Sequence, residues 1–160
     1  CLAAGALVGP RARAPPAGVV DAAPEGRPTQ EVHYVDGKSE RVFACGRRQV
    51  LFSNGTVKET FSGHEGEASV VRFSNGDKKL SHASGCVEYY YAEVSTWHTT
   101  YPDGMEVFIF PNNQREAHAA DGSKEIIFPD GAVRRVYPDG AEEDAGDDEG
   151  GDLGGSPLPG

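Results

Sequence analysis

Gly104, Asn113, Gly122, Gly131 and Gly140 stand nine residues apart, and the same interval links Gly37 to Gly46 to Gly55 and Gly76 to Gly85. Each of them closes a turn-forming pair of the Asp-Gly or Asn-Gly kind. A repeat this short constrains the fold more than any other property of the chain. Nine residues cannot hold a strand, a crossover helix and a returning strand, but they fit one strand and a tight turn, so each strand must run antiparallel to the last. Two-residue primed turns are expected at the joints, because Asp-Gly and Asn-Gly supply the positive φ such turns need. Two intervals break step: Gly55 to Gly76 spans 21 residues, around Gly63-His64-Glu65-Gly66, and Gly85 to Gly104 spans 19. Proline two residues before the turn residue, at Pro102, Pro111, Pro129 and Pro138, fixes φ at a strand's end, where little pairing is lost.

Counted from each turn residue, the fifth and sixth positions are repeatedly apolar together: Val42-Phe43, Leu51-Phe52, Tyr90-Tyr91, Ile109-Phe110, Ile127-Phe128 and Val136-Tyr137. Neighbours in a strand point to opposite faces, so both faces carry one apolar residue per strand. The third position is polar or charged, as at Glu40, Gln49, Lys58, Glu88, Glu116, Glu125 and Arg134, so neither face can be the floor of a core. The expected fold is all-β: a single free-standing antiparallel β-meander of about twelve short strands with both faces solvent-exposed. Cross-strand pairs must then carry much of the stability, and two-residue turns would set Phe43 opposite Arg48, Phe52 opposite Val57, Tyr101 opposite Glu106 and Phe110 opposite Arg115. The open edges fall near Val32 and Val133.

Composition agrees with a thin sheet. Hydrophobic residues make up 38% of the chain beside 21 glycines and 11 prolines, too little apolar matter for a thick core. Residues 1–30 are rich in Ala, Pro and Gly and read as a disordered linker, residues 31–140 hold the repeat domain, and residues 141–160 read as a disordered acidic tail. The tail explains most of the formal charge of −10: residues 31–140 hold 12 bases against 16 acids, whereas the last twenty residues hold seven acids and no base. With no basic stripe, neither nucleic acid nor an anionic membrane is an expected partner. The start lacks the basic region of a signal peptide, so the chain reads as a fragment and not a secreted precursor.

No catalytic or metal chemistry is expected. Cys1, Cys45 and Cys86 show neither a disulfide framework nor zinc-site spacing and suit a reducing compartment. His33, His64, His82, His98 and His118 make no HxH or HxxxH pair. Ser81-His82 and the Ser95, Trp97, His98 group lack the strained elbow of a nucleophilic serine and read as solvated strand residues. The aspartates are accounted for by the turns. The chain is expected to be no enzyme and to carry no cofactor.

The runs YVDGKSERVFACGRRQVLFSNGTVKE, FSNGDKK, VEYYYAEVSTWHTTYPDGMEVFIFPNNQREAHAADGSKEIIFPDG and VRRVYPDG resemble the G-box, the T-complex protein 10 C-terminal domain shared with centriolar scaffold proteins such as centromere protein J. The resemblance covers roughly residues 31–140, and YYYA, HTTYPDG and FPNNQ in one register are its specific part. AHAADG departs from it, standing where an aromatic-Pro-Asp-Gly unit is usual. The resemblance implies a free-standing antiparallel sheet that binds a proline-rich segment of a STIL-class centriole-assembly partner and can self-associate end to end. It also implies a place in the cytoplasm at the centrosome or centriole, with a nuclear regulator of the same fold as the alternative.

Aromatic residues concentrate in the middle strands, and a sheet wet on both sides has more rings there than it needs to cover itself. Proline rings pack well on such ridges, and an extended polyproline segment loses little entropy when fixed. The expected peptide-binding face comprises Phe73, Tyr89, Tyr91, Tyr101, Glu106, Phe108 and Phe110. Alternation within the hairpin is expected to put Tyr101, Glu106, Phe108 and Phe110 on one side.

Overall fold

The computed structural model describes residues 26–145. Of the linker expected over residues 1–30 and the tail expected over residues 141–160, residues 1–25 and 146–160 lie outside the described residues. Between them runs one antiparallel sheet in sequence order, with no helix among the described residues. Its strands are β1 (Gln30–His33), β2 (Ser39–Val42), β3 (Arg48–Leu51), β4 (Val57–Gly63), β5 (Gly66–Arg72), β6 (Lys78–Ser81), β7 (Val87–Tyr91), β8 (Thr96–Thr100), β9 (Glu106–Ile109), β10 (Arg115–His118), β11 (Lys124–Ile127), β12 (Val133–Val136) and β13 (Glu142–Ala145). There are thirteen rather than about twelve because Glu142–Ala145, placed by sequence in the acidic tail, adds to β12. The edges among the described residues are therefore β1, as expected near Val32, and β13, not the strand of Val133.

The turns differ from the expected type, and the difference moves the register. In ten of the twelve connections three residues form the loop, as in Phe43 to Arg47: Gly46 N donates to Phe43 O at 2.9 Å and Phe43 N donates to Arg47 O at 2.9 Å. Only the third loop residue has positive φ, for example Gly104 at 86° and Asn113 at 67°, whereas a primed two-residue turn needs positive φ earlier and, in its commonest form, twice. Glycine thus sits at the left-handed position after a type I turn. Proline at Pro102, Pro111, Pro129 and Pro138 is then the first loop residue, where its fixed φ suits that turn. The Asp or Asn between them accepts the N–H two residues on, as Asp103 Oδ1 does from Met105 at 3.0 Å and Asn54 Oδ1 from Thr56 at 2.9 Å.

A three-residue loop shifts each expected pair by one. Phe43 faces Arg47, not Arg48; Phe52 faces Thr56, not Val57; Tyr101 faces Met105, not Glu106; Phe110 faces Gln114, not Arg115. The two intervals that break the period are handled separately. Gly55 to Gly76 contains the long β4–β5 hairpin, whose Gly63↔Gly66 pair leaves His64-Glu65 as a two-residue loop. Gly85 to Gly104 contains the four-residue loop 92–95, ending in Ser95 at φ 48°.

Both faces are wet. No described side chain is less than 2% exposed, and only Phe43 and Val70 are buried apolar residues. They lie on the face that also buries Arg47, Glu59 and Glu88. There a polar ladder crosses the strands: Gln49 Nε2 donates to Glu59 Oε1 at 3.1 Å, Arg72 donates to Glu59 Oε2 at 2.8 Å, and Arg47 lies 3.5 Å from Glu59 Oε1. A layer this thin rests on its backbone ladder and on many side-chain pairs, each contributing roughly 0.2–1 kcal/mol.

Candidate functional site

The opposite face, around β7 to β10, carries a continuous ridge of rings. The ladder pairs Tyr89 with His98 and His98 with Phe108, so alternation puts Tyr89, Tyr91, His98, Glu106, Phe108 and His118 on one side. Phe73 joins this side from the end of β5, with its ring centroid 6.0 Å from that of Tyr89. From there the ridge runs through Tyr89 to Tyr91 at 4.5 Å, Tyr91 to His98 at 6.5 Å, His98 to Phe108 at 4.3 Å and Phe108 to Phe110 at 6.4 Å. His118 lies 5.0 Å from Phe108. The last three sequential pairs are nearly parallel, with 10° to 15° between planes, so the rings present a flat, stepped surface.

Six of the seven residues expected from sequence therefore share one face. Tyr101 is brought elsewhere: the three-residue loop pairs it with Met105, and alternation sets it with Trp97 and Thr99 on the opposite side. Glu106, expected opposite Tyr101, lies between Thr100 and His118 in the ladder. Two residues of the ridge escaped sequence reasoning. His98 reads from sequence as a solvated strand residue and His118 is weighed there only as a metal ligand, yet His98 stacks on Phe108 and His118 packs against it at a tilt of 46°. The missing signal was the register, since a loop of three residues places His98 directly across from Phe108.

One end of the ridge is fixed by Asp77, which terminates the β5–β6 turn. The Tyr89 hydroxyl donates to Asp77 Oδ2 at 3.0 Å, and Ala92 N donates to Asp77 Oδ1 at 2.8 Å. The Ala92 amide, then Asn75 and Tyr89, hold the Asp77 carboxyl below the usual carboxylate range, while loss of solvent and the bond to Asp77 push the Tyr89 phenol up. The bond ties the Tyr89 hydroxyl to the β5–β6 turn. Beyond it a shallow depression is lined by Asn75, Asp77, Tyr91, Ala92, Glu93 and Val94. Apolar steps with polar rims make a surface on which an extended segment can lie. Among the described residues, no cluster of three His, Cys, Asp or Glu side chains could hold a metal. No helix among them is long and apolar enough to cross a membrane.

A family model described as the T-complex protein 10 C-terminus matches residues 26–60 and 120–143. The SAS-4 (dCPAP) TCP domain of Drosophila melanogaster, solved in complex with a proline-rich motif of Ana2 (dSTIL), superimposes with a TM-score of 0.58 at 32% identity over 76% of this chain and 85% of that one. The chain belongs to the T-complex protein 10 C-terminal family. The wild-type TCP10 domain of Danio rerio CPAP, in complex with a peptide of Danio rerio STIL, gives a TM-score of 0.59 at 50% identity, covering 69% of this chain and 60% of that chain. Centrosomal P4.1-associated protein of Mus musculus is 47% identical over 88 residues, which are 55% of this chain and 6% of that protein. This G-box thus spans a small part of the length of the curated relatives it matches. The free-standing sheet implied by the sequence resemblance is the architecture found.

Proposed function

We propose that this G-box is a non-enzymatic protein-interaction module of the centrosome or centriole, binding an extended proline-rich segment of a STIL-class partner along the aromatic ridge. The observation that carries this reading is the run Phe73, Tyr89, Tyr91, His98, Phe108 and Phe110 left uncovered on a single-layer sheet. A proline-rich segment has few N–H donors, so it is a poor extra strand for a sheet edge and docks better by laying its rings on aromatic faces. Two relatives with this architecture were solved with such a peptide or with a peptide of STIL, which supports the same partner class for this chain. Titration of a labelled proline-rich peptide against the module is the test: saturable binding in the micromolar range is expected, and its absence up to millimolar concentration rejects the reading. End-to-end self-association is a second reading, supported by the wholly exposed edge strand β1; mass that rises with concentration in light scattering is its signature.

A further inference from the structure

The face opposite the ridge holds an apolar row of its own. The ladder sets Lys78, Tyr90, Trp97, Ile109 and Arg115 across from one another on β6 to β10, so all five project from that face. The Tyr90 and Trp97 rings lie 5.0 Å apart at a tilt of 40°, and Tyr90, Trp97 and Ile109 are all half-buried, with no second layer over them among the described residues. Two residues further along the strands comes a lower row, Thr99, Val107 and Ala117, and beyond it stand Tyr101 and Met105. The short side chains thus floor a shallow trough that crosses the strands between two taller rows.

The charge along this trough is unbalanced. Lys78 and Arg115 stand at the two ends of the Tyr90 row, and neither forms an ion pair or a side-chain hydrogen bond among the described residues. The carboxylates on the same face of the neighbouring strands are taken: Glu88 meets His82 Nε2 at 2.7 Å and Glu125 meets Arg135 at 3.3 Å, with side chains only 8% and 13% exposed. Arg72, directly across from Lys78, adds a like charge at that end and is drawn to Glu59 at 2.8 Å. Two bases are therefore left over here, in a chain whose formal charge is −10.

We propose that this trough is a second docking surface, for an extended segment of another protein in which two acidic residues flank apolar ones. Lys78 and Arg115 are four strand steps apart, about 19 Å, which is the reach of about six residues of extended chain. Six is even, so in such a chain both acids and every second residue between them point the same way. The acids meet Lys78 and Arg115 while the apolar side chains between them cover Tyr90, Trp97 and Ile109. The Arg115 guanidinium takes its carboxylate through two parallel hydrogen bonds, and the covered rings exclude water beside it, which strengthens the contact. This occupant differs in charge and composition from a proline-rich one, and its surface lies on the other side of the same strands β7 to β9. The module thereby holds two partners back to back across a single layer.

Trp97 is the single tryptophan of the chain, so its fluorescence reports on this face. The probe is the synthetic peptide Asp-Thr-Leu-Ser-Val-Thr-Glu, capped at both ends and titrated into the full chain, with Asn-Thr-Leu-Ser-Val-Thr-Gln as its neutral twin. The acidic peptide is expected to change the emission saturably below about 1 mM and to bind at least about fivefold more tightly than the neutral one. Lys78→Gln and Arg115→Gln should each erase most of that difference, with the strand signal in circular dichroism unchanged. Prior saturation with a proline-rich peptide should leave the affinity for the acidic peptide within about twofold. Absence of a saturable change up to about 5 mM, equal affinity for the two peptides, or full preference retained in both variants overturns the proposal. Exclusion of the acidic peptide by the proline-rich one would place both on one surface and reject the second site. If the proline-rich peptide does not bind at all, the proposed function fails, while the Trp97 titration still decides the trough.

Discussion

A methyl group on the α-carbon of Gly85 would lie 3.2 Å from Cγ of Pro102. The two residues belong to alternate turns, β6–β7 and β8–β9, at one end of the strands, and the closeness shows that these turns pack against each other. Gly76 against Ala92 at 3.1 Å and Gly104 against Ala120 at 3.3 Å repeat it. Replacing Gly85 by Ala therefore combines a left-handed φ of 86° with a crowded neighbour. A loss of about 2 kcal/mol is expected in urea unfolding, of which about 1–2 comes from the backbone alone. Gly131→Ala, at φ 90° with nothing within 4 Å, should lose only the backbone part. Equal losses at the two sites would show that turn stacking contributes nothing.

Asn113 occupies the same left-handed position without being glycine, at φ 67°. Asparagine tolerates this region better than most residues but still less well than glycine. Asn113→Gly is expected to raise stability by up to about 0.5–1 kcal/mol while leaving the strand signal of the circular-dichroism spectrum unchanged. A loss of stability would mean that Asn113 makes a contact worth more than its strain.

Arg47 lies over the Phe43 ring at 4.0 Å and reaches Glu59 on the same face, with its Nε buried and without a partner among the described residues. Glu59 keeps Arg72 and Gln49 when Arg47 is removed. Arg47→Ala should then cost about 2 kcal/mol, chiefly through lost cover over Phe43, whereas Arg47→Met keeps the stem, removes the orphaned donor and should stay within about 1 kcal/mol of the parent. Equal losses in the two variants, measured by thermal unfolding, would assign the effect to charge instead.

Asp77 gives the module an acid limit. Its carboxyl is held below the ordinary value by Ala92 N, Asn75 and Tyr89, so the folded state binds its proton less readily than the unfolded chain does. The stabilisation is fully present above the unfolded value near 4 and fades as pH falls through the lower folded value. Stability should decline below about pH 4, and Asp77→Asn should show a shallower decline over the same range. Parallel curves for the two proteins would remove Asp77 as the source.

The period of nine, too short for a crossover helix, made the antiparallel strand order legible, and the adjacent apolar fifth and sixth positions beside a polar third made the single wet layer legible. The turn type was not legible. Asp-Gly serves both primed two-residue turns and type I turns with a left-handed third residue, and only the proline at the first loop position, as in Pro102 and Pro129, favours the second. Misplacing the loop by one residue exchanged Glu106 for Met105 as the partner of Tyr101 and hid His98 from its place beside Phe108. Acidic Glu142–Ala145 has no apolar residue beyond its alanine to mark it as a strand. Beside its backbone ladder, it meets Arg134, which donates to Asp144 at 2.7 Å, and the Tyr137 hydroxyl, which donates to Glu143 at 2.6 Å. Those pairings cross ten and six residues, beyond the reach of composition.

The ridge makes unequal demands on its members. Phe108 lies beside the rings of His98, Phe110 and His118, whereas Phe73, at the far end, has among the described residues the ring of Tyr89 beside it. Removing a central anchor of an interface typically costs 2 kcal/mol or more, and a peripheral one costs little. Phe108→Ala and Tyr91→Ala should each weaken a proline-rich peptide by at least about tenfold, and Phe73→Ala by less, with the strand signal retained in all three. Tyr101 separates the two registers: on the opposite face beside Trp97 and Thr99, its replacement by Ala should leave affinity within about twofold. Ile109 and Ile127, paired through Arg115 on that opposite face, serve as controls of the same kind. Loss of binding in the Tyr101, Ile109 or Ile127 variants, with Phe108→Ala unaffected, would put the ligand on the side of the polar ladder and reject the ridge.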